Sequence, residues 1–97
     1  MKKSILIVLL FVTTLGFSQI SVTGKVSDMN GEPLPGANVI EKGTSLGVIS
    51  DFNGNYEIKV SSNDAILVVS FIGFETQEIN VDGRSRIDFE MNESAES

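Results

Sequence analysis

Few residues in this 97-residue chain have types and spacing suited to chemistry. The densest run is Asp51-Phe52-Asn53-Gly54-Asn55-Tyr56-Glu57, which sets side-chain oxygens at alternate positions on Asp51, Asn53 and Asn55. An EF-hand calcium loop opens this way, then needs glycine at its sixth position and a bidentate glutamate at its twelfth. Counted from Asp51, those places hold Tyr56 and Ser62, and two of the three anchoring side chains are neutral amides. Asp51, Asn53 and Asn55 are therefore weak calcium candidates. The favoured reading is a hairpin turn, with Asp51 accepting backbone N–H groups and Gly54 in a left-handed conformation.

Carboxylate pairs can cleave glycosides, and Asp51 with Glu57 or Glu75 with Glu78 are the pairs on offer. Glu75 and Glu78 are an odd number of residues apart, so a regular strand would point them to opposite faces. Asp51 and Glu57 flank a turn, but a domain of this size leaves little room for a sugar cleft. Solvated surface charge is the reading for both pairs. Arg84 and Arg86 could grip a carboxylate or sugar phosphate, but same-parity cross-strand pairing with nearby acids is the favoured reading. Phe52, Phe71 and Phe74 could form an aromatic platform; Phe71 and Phe74 read as core, and Phe52, at a turn, as a candidate partner contact together with Pro35. The chain has no His, Cys or Trp, hence no imidazole base, no thiol nucleophile and none of the commonest transition-metal ligands. We expect no catalytic residue, no cofactor and no enzyme activity.

Lys2 and Lys3 precede an apolar run from Ile5 to Val12 that continues to Phe17, the order of a secretory signal peptide. Gly16 and Ser18 suit a signal-peptidase site, placing cleavage between Ser18 and Gln19. The apolar core is shorter than the roughly 20 residues of a spanning helix, and no Cys follows it for a lipid anchor. The expected organisation is a signal peptide over 1–18, one domain over 19–92 and a disordered tail over 93–97. Beyond the leader, Lys25, Lys42, Lys59, Arg84 and Arg86 face 13 acidic residues, a formal charge of −8. That surface repels phosphate backbones and argues against a nucleic-acid partner.

The elements that must position these residues are strands. Ile20, Val22, Gly24 and Val26 share one parity, against Ser21, Thr23, Lys25 and Ser27 on the other. Asn30-Gly31 closes that strand with a tight turn, and Glu32-Pro33-Leu34-Pro35-Gly36 reads as a rigid loop. Strands are predicted over Ala37–Glu41, Leu46–Ser50 and Tyr56–Val60. Ile66–Ile72 is apolar on both parities, which suits a central strand buried on both faces. Phe74–Val81 changes parity, predicting a bulge near Thr76 or Gln77, and Ile87, Phe89 and Met91 alternate in a last strand. Seven short strands without a helical period predict an all-β, seven-stranded antiparallel β-sandwich. Its expected core is Ile20, Val22, Val26, Val39, Val48, Tyr56, Ile58, Val60, Ile66, Val68, Phe71, Ile79, Ile87 and Phe89. Asn30, Gly31, Pro33, Gly36, Gly54 and Gly73 are the expected structural turn positions.

Several phrases in succession carry a family resemblance: VTGKVSD (22–28), NGEPLPGANV (30–39), KGT (42–44), GVISDFNGNY (47–56) and FIGFETQ (71–77). Together they resemble the carboxypeptidase regulatory-like domain, a transthyretin-like (prealbumin-like) sandwich, in the version found at the N-terminus of SusC/RagA-type TonB-dependent outer-membrane receptors. The resemblance spans about Ile20 to Met91 and implies that the glycines and the Asp51–Tyr56 turn are framework positions. It also implies an exported accessory or docking domain in the periplasm or on the periplasmic face of the outer membrane, peripheral to that membrane at most. Its expected partner is an envelope protein or the remainder of such a receptor. After Met91 the chain departs from the family pattern, with no TonB-contact segment, plug or barrel strands, so a receptor fragment, an excised domain and a free-standing module all fit. The related zinc carboxypeptidases transfer no catalytic residue to a chain without His. The competing expectation is a free-standing carbohydrate- or calcium-dependent surface-binding module.

Overall fold

The computed structural model describes Ile20–Ser94, so the leader expected over 1–18 lies outside the described residues, as do Ala95–Ser97 of the tail. Seven strands follow in order: β1 (Ile20–Asp28), β2 (Asn38–Glu41), β3 (Gly47–Ile49), β4 (Asn55–Val60), β5 (Ile66–Ser70), β6 (Gln77–Asn80) and β7 (Phe89–Met91). They form a three-stranded sheet, β4-β1-β7, and a four-stranded sheet, β3-β2-β5-β6. The architecture is the expected all-β sandwich, with one departure: β1 and β7 run parallel, pairing Val26 with Phe89 and Asp28 with Met91. The other pairings are antiparallel.

Period-two patterning decides which side chains fill the space between the sheets. Val22 and Val26 of β1, Tyr56, Ile58 and Val60 of β4, and Phe89 and Met91 of β7 point inward, opposite Val39, Leu67 and Val69. Each large aliphatic or aromatic side chain so buried stabilises the fold by roughly 1.5–3 kcal/mol before entropy is counted. Eight of the fourteen expected core residues are buried, and Ile20, Val48, Phe71 and Ile79 are partly buried against them. Ile66 and Val68 are corrections. They lie on the outer face of β5, half-exposed, while Leu67 and Val69 take the core. β5 is thus fully buried on one face only. Nor does β6 carry a bulge: the parity change falls in exposed Glu75 and Thr76, before the strand begins at Gln77.

Gly24 is required by close approach. A Cβ there would lie 1.7 Å from the Ile87 carbonyl oxygen and 2.9 Å from Cε2 of Tyr56. The Tyr56 ring crosses that gap, and its hydroxyl donates to the Ile87 carbonyl at 2.6 Å, tying β4 across β1 to the segment leading into β7.

The tail also needs correction at its start. The Glu75 N–H donates to the Asn92 carbonyl and the Ser94 N–H to the Gly73 carbonyl, at 2.8 and 2.9 Å, so the chain through Ser94 is bonded to the β5–β6 loop.

Candidate functional site

The Asp51 turn is built from backbone bonds. One oxygen of Asp51, Oδ1, accepts the N–H groups of Asn53 and Asn55, both at 2.9 Å, and the Asp51 carbonyl accepts from Gly54. Gly54 has φ +83°, and a Cβ there would meet the Val26 carbonyl at 2.7 Å. The expected hairpin is corrected in one respect: β3 pairs with β2 and β4 with β1, so the turn carries the chain from one sheet to the other. Asp51 Oδ1 is thus an acceptor for two turn amides. Among the described residues no three His, Cys, Asp or Glu side chains are grouped to hold a metal.

Asp28-Met29-Asn30-Gly31-Glu32 repeats this construction. Asp28 Oδ1 accepts from the N–H groups of Asn30 and Glu32 at 2.8 and 2.9 Å, and the Gly31 N–H reaches the Asp28 carbonyl. Both turns expose a large apolar side chain at their second position, Met29 in one and Phe52 in the other. Gly36 and Gly73 also have positive φ, and Pro33 bridges to Ser27 across the returning chain. Pro35 is exposed in the same loop.

A shallow groove of about 640 Å³ borders β1, β3 and β4 and includes Asp51, Asn55, Glu57 and Arg86 in its wall. Its charged groups have partners within the protein. Glu57 accepts from the Ser21 hydroxyl at 3.0 Å, and Arg86 pairs with Asp88 at 3.0 Å. Arg84 donates to the Val81 and Asn80 carbonyls, capping the turn at Asp82-Gly83. Of the other acid pair, Glu78 meets Lys42 at 3.1 Å on the exposed sheet surface and Glu75 is exposed in the loop before β6. Burial, with the Asp88 charge second, pushes the Tyr56 phenol well above its ordinary value of 10.0, so it stays a neutral donor. No aromatic platform forms, because Phe71 and Phe74 pack against each other with centroids 5.8 Å apart and against the core, while Phe52 is 87% exposed.

Two polar side chains that matter were not singled out from the sequence. Ser50, buried, accepts from the Ala37 N–H at 2.9 Å and donates to the Leu34 carbonyl at 2.6 Å, which pins the Pro33–Ala37 loop to the end of β3. Glu41, also buried, accepts from the Ser61 N–H and hydroxyl, joining the end of β2 to the end of β4. The only local signal for Glu41 is its parity with Val39.

Residues 22–97 match the family described as the CarboxypepD_reg-like domain. The chain belongs to that family. Relatives of this CarboxypepD_reg-like domain include TonB-dependent receptor P39 of Formosa agariphila, 40% identical over 80 residues, which are 82% of this chain and 8% of the receptor. TonB-dependent receptor SusC of Bacteroides thetaiotaomicron is 52% identical over 63 residues, covering 65% of this chain and 6% of the receptor. The domain therefore spans less than a tenth of the length of these relatives. Among solved structures, a C-terminal interface mutant of a type II cohesin–X-dockerin complex from Acetivibrio cellulolyticus aligns with TM-score 0.57 at 24% identity. The alignment covers 73% of this chain and 51% of that one, a likeness of fold alone.

Proposed function

We propose that this CarboxypepD_reg-like domain is a non-enzymatic accessory module of the cell envelope, serving a TonB-dependent outer-membrane receptor as a docking domain on the periplasmic side. The observation that carries this reading is the 52% identity over 63 residues with a TonB-dependent receptor. The internal partnering of Asp51, Glu57, Arg84 and Arg86 supports a binding role over catalysis, since these groups hold the fold instead of converging on a substrate. A calcium- or carbohydrate-binding role has weaker support, because among the described residues no three acidic side chains are grouped to hold a cation.

Fractionation of the tagged chain in its host, with in-frame deletion of codons 20–94, tests the proposal. The tagged chain should sediment with the outer membrane, and the deletion should impair TonB-dependent uptake of a nutrient. Recovery of the chain in the cytoplasm, or unimpaired uptake of every substrate tried, refutes it.

A further inference from the structure

Strand directions place three loops and the outgoing chain at one end of the sandwich. β1, β3, β5 and β7 all end there, and β2, β4 and β6 all begin there. Bonds from Gly36 to Ser50 and from Ser94 to Gly73 hold the loops of the two sheets together. Each loop exposes one large apolar side chain at its tip: Met29 at 59%, Phe52 at 87% and Ile72 at 89% exposure. Each tip is followed within two residues by a glycine of positive φ, Gly31, Gly54 or Gly73. The first two tips are also fixed by their aspartate-closed turns, so all three are presented on ordered backbone. The opposite end is built largely from polar residues such as Ser61, Ser62, Asn63, Asp82 and Arg84, with Leu46 the large apolar side chain exposed in the β2–β3 loop there.

Exposed Met and Phe on rigid loops are side chains enriched where proteins bind proteins. Charge narrows the occupant. Asp28, Glu32, Asp51, Glu75 and Glu93 surround the tips and outnumber Lys25, the cation at that end, whereas Lys42, Lys59 and Arg84 lie toward the other end and Arg86 is paired with Asp88 between them. An acidic ring repels anionic lipid and an identical ring on a second copy, and attracts a protein surface rimmed with Lys or Arg. We propose that Met29, Phe52 and Ile72 form a docking surface for a protein surface with an apolar centre and a basic rim, contributed by the receptor itself. That occupant rests on the function proposed above. It is favoured because Ser94, the last described residue, is held beside the tips by its bond to Gly73, and because matched relatives hold more than nine-tenths of their length outside the matched region. A segment starting there docks at high effective concentration.

The test uses the gene's full product in its own envelope, with a photo-reactive amino acid at position 52, 72 or, as the control at the far end, 45. Cross-linked peptides are sequenced by mass spectrometry. Positions 52 and 72 should link to a Lys/Arg-bordered segment of the receptor and position 45 should not. Phe52→Ser should lower the yield from position 72 by at least about tenfold. Because Phe52 is exposed, that variant should melt with the parent, which separates lost docking from lost folding. Links to a different envelope protein overturn the occupant. Links to lipid, to a second copy of this domain, equally from position 45, or none at all, overturn the docking surface. Outer-membrane fractionation is read separately, so the envelope assignment can stand when the docking surface falls.

Discussion

Gly24→Ala places a methyl carbon where the structure has none to spare. The added Cβ would lie 1.7 Å from the Ile87 oxygen and 2.7 Å from the Ile87 carbonyl carbon, so that oxygen must retreat by about 1.3 Å merely to reach 3.0 Å. Both atoms belong to backbone, and Ile87 is further held by its own N–H bond to the Thr23 carbonyl at 2.8 Å. Overpacking of this kind costs about 1–3 kcal/mol. Displacing the Ile87 carbonyl also strips the buried Tyr56 hydroxyl of its partner, a further cost of about 1–3 kcal/mol. The expected sum is about 2–6 kcal/mol, a large part of the roughly 5–15 kcal/mol that holds a domain together. For a domain of this size each kcal/mol lowers Tm by roughly 4–8 °C. Urea and thermal unfolding of Gly24→Ala, Tyr56→Phe and the double variant measure the effect. The double variant should cost less than the sum of the singles, because both remove the same hydroxyl bond. A Gly24→Ala protein melting within about 3 °C of the parent would refute the close-approach argument.

Ser50→Ala removes an acceptor from the buried Ala37 N–H and a donor from the Leu34 carbonyl, and should cost about 2–4 kcal/mol, read as a lower urea midpoint with an unchanged slope. Asp51→Ala should cost about 1–2 kcal/mol, since exposed turn amides can turn to water. At about 5 mM calcium, above the range in which extracellular calcium modules bind, Tm of the parent should not move; a rise that Asp51→Ala abolishes would establish a cation site. Alkaline pH should destabilise the fold through Tyr56. Its proton is held more tightly in the folded chain than in the unfolded one, so the Tyr56 contribution to stability is constant below about pH 10 and is then lost with rising pH, by at most about 1.4 kcal/mol per unit. Tyr56 is the sole tyrosine and the chain has no tryptophan, so phenolate absorbance reports this group alone; titration of the folded protein at the ordinary tyrosine value would contradict it.

The sequence was most legible where apolar and polar residues alternate strictly. β1 and β4 need no partner to declare their inward faces, and Val22, Val26, Tyr56, Ile58 and Val60 are buried as their parity implies. β5 gives no such contrast because Ile66 to Val69 are all apolar; its inward face is set by register, with Val39 opposite Val69. The parallel pairing of β1 with β7 joins residues more than 60 positions apart, which no local pattern encodes. In the candidate site, the roles of Asp51 and Gly54 follow from residue type. The sheet to which the next strand goes does not, because an Asn-Gly turn specifies a change of direction and not a partner. Ser50 escaped notice for a related reason: its burial comes from a loop 13–16 residues away.

The twin turns explain how a small domain can present exposed apolar side chains on fixed backbone. In Asp28–Glu32 and Asp51–Asn55 the first aspartate closes the loop, the glycine supplies the positive φ, and the last residue returns the backbone to the aspartate's N–H. These bonds use backbone atoms or the aspartate side chain, leaving the second residue without a structural duty. Met29 and Phe52 occupy that position, exposed, although a polar residue there would leave the same bonds intact and spare the cost of exposing apolar surface. The turns therefore separate the bonds that close the loop from the apolar side chain that the loop presents. Exchanging the side chains at 29 and 52 should alter binding with little effect on melting, whereas exchanging the aspartates before them should lower melting and, by thinning the acidic ring, weaken binding as well.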